Sequence, residues 1–113
     1  MKIINQALLY IFLICVSSNS RADIGTITIL SPANESTIGE HDNVVLSYEA
    51  GLGTYGNNIH LFIDGWHEGI LRQIKGNENL GKLNPGIHKI CLTLNTSEQA
   101  PTGVESCVVI TAK

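Results

Sequence analysis

From Thr26 to the C-terminus, apolar residues recur at alternate positions in short runs, and Gly, Pro, Asn or Asp cuts each run before a helical period can establish itself. A period of two sends successive side chains to opposite faces, which is the pattern of half-buried β-strands. The runs are Thr26–Leu30, stopped by Ser31-Pro32-Ala33-Asn34; Asn43–Glu49, stopped by the glycine-rich Gly51–Gly56; and Asn58–Asp64, closed by Asp64-Gly65. Asp-Gly is a strong hairpin signal because both residues tolerate positive φ. Ile70–Ile74 and Leu80–Leu83 read as weaker strands, and Ile87–Asn95 and Val104–Ala112 as the clearest pair. About seven strands at this spacing predict an all-β fold, an immunoglobulin-like antiparallel β-sandwich.

The last two runs carry their own register. On the first, Ile90, Leu92 and Leu94 share one face, and Lys89, Cys91 and Thr93 the other. On the second, Val108 and Ile110 lie opposite Glu105, Cys107, Val109 and Thr111. Folding them as a hairpin around Gln99 sets Ile90 across from Val108 and Cys91 across from Cys107. One register thus buries the aliphatics and brings the two sulfurs within cross-strand reach on the outer face, so a Cys91–Cys107 disulfide is expected. In the third strand Ile59, Leu61 and Ile63 form the expected core face, leaving His60, Phe62 and Asp64 outward. By the same parity His88 starts on the inward side with Ile90.

The N-terminus begins with Lys2, runs through an apolar stretch from Ala7 to Val16 and ends in the small residues around Ser20-Arg21-Ala22. This is the pattern of a secretory signal peptide, with cleavage expected after Ala22, and the stretch is shorter than the roughly 20 residues a membrane span requires. Cys15 raises a lipid-anchored alternative, although Ile14 is bulkier than the small residue that chemistry prefers. Residues 1–22 are therefore assigned to the leader and 23–113 to one sandwich domain, periplasmic or secreted and without membrane attachment after cleavage. Lys2 and Arg21 leave with the leader, so five of the seven basic residues remain against ten acidic ones, a net charge of about −5. That balance argues against nucleic acid or anionic lipid as a partner.

Catalytic groupings are poorly supplied. No G-x-S-x-G elbow frames a serine. Glu40 and Asp42 lie in a turn, and Gly51-Leu52-Gly53 precedes no helix that could cradle a phosphate. The chain reads as non-enzymatic. Asn34-Glu35-Ser36 and Asn95-Thr96-Ser97 match the N-glycosylation pattern and are read as chance matches. Of the four histidines, His60 reads as an exposed strand residue and His88 as a satisfied residue at the sheet rim. The sharper alternative is a copper or zinc site using His60, His67 and His88.

His60-Leu61-Phe62-Ile63-Asp64-Gly65 and Leu83-Asn84-Pro85-Gly86-Ile87-His88, with the opening Ile29-Leu30-Ser31-Pro32, resemble a family of small bacterial periplasmic immunoglobulin-like domains of unknown function. The family's motifs are H-L-x-x-D-G and L-x-P-G-x-H. The resemblance implies an envelope domain, and in histidine-rich members it implies suspected metal ligands. Here Asn57 and Asn58 precede the first motif and Glu98-Gln99-Ala100-Pro101 forms the last hairpin, so only His60 and His88 of those ligands remain.

The functional expectation is a binding or accessory domain with no cofactor, contacting an unknown protein or ligand in the envelope. The expected contact residues are Tyr55, Asp64, Trp66 and His67, gathered at one end of the sandwich. Copper or zinc binding is the alternative.

Overall fold

The computed structural model describes residues 23–113; the expected leader, with its cleavage point and Cys15, lies outside the described residues. Eight strands follow in chain order: β1 Thr26–Ser31, β2 Thr37–Ile38, β3 Val44–Gly51, β4 Asn58–Ile63, β5 Trp66–Leu71, β6 Lys75–Gly81, β7 Gly86–Asn95 and β8 Pro101–Ala112. They form two sheets, one ordered β1-β3-β6 and the other β2-β8-β7-β4-β5. Every pairing is antiparallel except β2 with β8, which is parallel and spans only Thr37–Thr111 and Ile38–Ala112. Among the described residues no helix is long and apolar enough to cross a membrane.

The period-two pattern is realised where it is clearest. Val44, Leu46 and Tyr48 of β3 meet Ile59 and Leu61 of β4, Ile90, Leu92 and Leu94 of β7, and Val108 and Ile110 of β8 in a single buried cluster. In the β7–β8 hairpin, Ile90 faces Val108 and Cys91 faces Cys107 as expected. The two cysteines form a disulfide with Cα atoms 4.1 Å apart, the close approach of a non-hydrogen-bonded antiparallel pair.

Besides the short β2, which the sequence reading did not include, two strands differ from it. The expected strand at Ile70–Ile74 begins earlier, at Trp66, directly after the Asp64-Gly65 turn, and ends at Leu71. The expected strand at Leu80–Leu83 is instead Lys75–Gly81. Both are edge strands, where polar side chains and glycine are tolerated because only one flank pairs. A bulge further hides β5: Leu61 pairs with Gly69 but Phe62 with His67, leaving Glu68 as the extra residue. His67 and Leu71 share parity in sequence, yet the bulge sends His67 to the outer face beside Phe62 while Leu71 packs inward opposite Ile59.

Candidate functional site

The β4–β5 hairpin turn is braced against β7 through Asp64. Asp64 and Gly65 both adopt positive φ, 54° and 84°, the signature of the tight turn that matches strand twist. The Asp64 amide donates to the Lys89 carbonyl (2.8 Å), and the Lys89 amide donates back to Asp64 Oδ1 (2.8 Å). The other carboxylate oxygen, Oδ2, lies 2.6 Å from His88 Nδ1, and His88 Nε2 lies 2.6 Å from the Asn84 carbonyl. Both partners of His88 are acceptors, so the ring satisfies them only by donating from both nitrogens, as the imidazolium. Asp64 and Gly65 belong to the first sequence motif; Asn84 and His88 belong to the second. The structure joins the two motifs through this clamp.

The clamp sets two protonation equilibria. The Asn84 carbonyl first, and then the Asp64 carboxylate, raise the His88 pKa above its usual 6.5. Partial burial would raise Asp64, but the hydrogen bonds from His88 and the Lys89 amide outweigh it and hold the carboxyl below its usual 3.8. A raised histidine stabilises fully below its unfolded pKa and loses that contribution as pH rises through the folded value. A lowered carboxyl stabilises above its unfolded pKa and loses that contribution as pH falls. The clamp is therefore strongest between pH 3.8 and 6.5. His88→Ala is expected to cost about 1–2 kcal/mol in that window, discounted for the partial exposure of Asp64. In urea titrations across pH, the gap between wild type and variant should narrow as pH climbs past 6.5; a gap that stays constant with pH would show that charge plays no part.

Both nitrogens of His88 are thus engaged, which removes it from the expected metal set. His60 departs from expectation in the other direction. It is on the outer face, but only 8% exposed, because neighbouring side chains cover it. Its Nε2 donates to Gln99 Oε1 (2.7 Å), and its Nδ1 is 3.1 Å from His67 Nε2, within hydrogen-bond distance. Gln99 reaches this position from the β7–β8 turn, where it holds a left-handed φ of 67°. The His67 ring meets the rings of His60 and Phe62 edge-on, with centroids 4.9 and 5.3 Å apart. A single cation between His60 Nδ1 and His67 Nε2 would find its two nitrogens near the roughly 3.3 Å separation implied by tetrahedral zinc with ligands at about 2.0–2.1 Å. Among the described residues, the one cluster of three potential ligand side chains is Cys91, Glu105 and Cys107. Its sulfurs are joined in the disulfide and offer no thiolate.

The expected contact group does not gather in one place. Trp66 opens β5 at the hairpin tip and is 76% exposed; Tyr55 lies in the β3–β4 loop and is 65% exposed. The full length of β4 separates them, about 20 Å at 3.3–3.4 Å per residue, because Tyr55 precedes the strand and Trp66 follows it. Asp64 is adjacent to Trp66 but is committed to the clamp. The sequons at Asn34 and Asn95 are likewise in structural use: Asn34 Oδ1 accepts the Val109 amide, and Asn95 Nδ2 donates to the Gln99 carbonyl.

Sequence reasoning missed the cleft on the outer face of the five-stranded sheet. It has a volume of about 510 Å³ and runs from Gly65 and Lys89 at one end to Gln99 and Pro101 at the other. Its floor includes Phe62 and Cys91, which are partners in the β4–β7 register. The outward parity of Phe62, Lys89, Cys91 and Glu105 was readable, but the turn that walls the cleft was not.

No family model and no curated protein matches the chain. Solved structures do. A fibronectin(III)-like module of Clostridium thermocellum CbhA superposes with a TM-score of 0.67 at 12% identity, covering 78% of this chain and 96% of that one. The CARDB domain of PF1109 from Pyrococcus furiosus, described in complex with di-metal ions, superposes with a TM-score of 0.58 at 13% identity, covering 85% and 95%. A Jonesia denitrificans lytic polysaccharide monooxygenase gives 0.50 at 20% identity, covering 74% of this chain and 61% of that one. Identities this low speak for fold. The chain is an all-β, immunoglobulin-like sandwich of the kind shared by fibronectin-III-like and CARDB domains, carrying one disulfide.

Proposed function

We propose that this protein is an exported, non-enzymatic binding or accessory domain of the cell envelope that anchors a protein partner through Trp66. One observation carries the reading: the single tryptophan stands 76% exposed at the tip of a turn that three hydrogen bonds brace against β7, one of them to His88, itself tied to the Asn84 carbonyl. An exposed tryptophan on a rigid tip loses little conformational entropy on binding and offers a large apolar face. The disulfide supports export, since such bridges persist in oxidising compartments. Trp66→Ala is expected to weaken partner binding by about 30-fold or more, the loss of a central anchor of at least 2 kcal/mol. The test is to capture envelope partners on wild-type protein and measure their affinity for both forms. Equal retention of every captured partner by Trp66→Ala would refute the assignment.

A second reading rests on the His60–His67 pair, whose facing nitrogens are 3.1 Å apart. It is a copper or zinc site that uses these two imidazoles without His88. Titration of the mature protein with each metal, followed by Trp66 fluorescence and by bound metal per chain, is expected to give one equivalent. His67→Ala should abolish that binding and His88→Ala should spare it. Absence of stoichiometric binding would retire the reading.

A further inference from the structure

The outer-face cleft carries a pattern that neither reading above uses. Its central row is apolar: Phe62 pairs with Cys91, and Cys91 pairs with Cys107 across the disulfide. Lys89 and Glu105 line the same cleft. Lys89 precedes Cys91 by two residues on β7, and Glu105 precedes Cys107 by two on antiparallel β8. The two charges therefore fall on opposite sides of the disulfide row, four strand steps or about 13 Å apart. Among the described residues the ion pairs are Asp64–His88 and Glu40–His41, so Lys89 and Glu105 are both exposed and neither has an opposite charge in contact.

We propose that this cleft binds an extended peptide strand presenting an acidic, an apolar and a basic side chain at alternate positions along one face. An extended chain turns every second side chain to the same side, so residues i, i+2 and i+4 span about 13 Å. That matches the spacing from Lys89, over the Phe62–disulfide row, to Glu105. The acidic side chain pairs with Lys89, the basic one with Glu105, and the apolar one covers the central row. The volume of about 510 Å³ falls within the usual range of ligand sites, about 300–1,000 Å³. Oppositely charged ends discriminate more than they attract. A peptide with the wrong charge spacing leaves one charge facing its like or facing solvent. This site goes beyond the Trp66 contact and stands or falls separately from it.

The test uses a five-residue peptide, blocked at both ends and fluorescein-labelled through a flexible linker, with aspartate first, phenylalanine third, lysine fifth and alanine between. Fluorescence anisotropy is expected to show binding at least about tenfold tighter than for an isomer whose aspartate and lysine are adjacent. Lys89→Glu and Glu105→Lys should each weaken binding at least about tenfold. Their combination should restore it, because a blocked strand can lie in either direction; this restoration separates a charge match from damage to the fold. Lys75→Glu, on the other sheet, should leave the affinity unchanged. Three results would each overturn the proposal: no binding at millimolar protein, affinity indifferent to charge spacing, or no restoration in the double variant.

Discussion

Leu46→Ala is expected to lower stability by about 3–5 kcal/mol, the upper part of the range for a fully buried leucine replaced by alanine. Leu46 is the third residue of β3, the middle strand of the three-stranded sheet, and is 0% exposed. That sheet supplies only Val44, Leu46 and Tyr48 as fully buried hydrophobics, so Leu46 is central to the contact between the layers. The surrounding leucines and isoleucines come from β-strands held in hydrogen-bonded register, which leaves them little freedom to close a cavity. For a domain of this size the loss corresponds to a fall in melting temperature of more than about 12 °C. Val45, the next residue on the same strand, is 45% exposed on the opposite face. Val45→Ala should cost less than about 0.5 kcal/mol. Urea titration of both variants checks the pair, and similar losses at the two positions would mean that the two sheets are not packed through β3 as described.

Replacing Cys91 and Cys107 together by serine should cost about 3 kcal/mol, because the bridge closes a loop spanning 16 residues and restricts the unfolded chain accordingly. The folded hairpin has other means of keeping its register. Ile90 and Val108 bury one face, and the backbone ladder extends from Gly86–Ala112 to Thr93–Glu105 on either side of the cysteine pair. The variant should therefore remain folded with the same strand pairing, and its loss should appear as a lower urea midpoint. Amide exchange along β7 and β8 would show the same protected positions. A loss below about 1 kcal/mol would place the bridge's contribution within what the hairpin already supplies by itself.

These two expectations draw on features that were readable from the residues alone. Alternation along β3, β4, β7 and β8 marked the core face, since a strand that buries one side must keep its apolar residues in phase. The hairpin register followed from requiring Ile90 to meet Val108, and the disulfide followed from the register. The Asp64-Gly65 turn was legible because few residue pairs accept two consecutive positive φ values. Neither edge strand could be placed the same way. β6 carries polar residues and glycine along an unpaired flank, and in β5 the bulge at Glu68 breaks the period on which the reading depends.

Local sequence thus determined which residues face the core, where the chain turns, and which two sulfurs meet. It had no means of saying what covers an outward residue, because that cover arrives from another part of the chain. His60 is buried by Gln99, 39 positions away, and by His67, brought alongside by a bulged pairing. His88 is held by Asp64, 24 positions away. Tyr55 and Trp66 are close in sequence but distant in space because β4 runs its full length between them. The faces follow from a backbone period that each strand carries within itself. The clamp, the histidine pair and the charged cleft depend on which strands lie side by side, and that is decided only when the two sheets form.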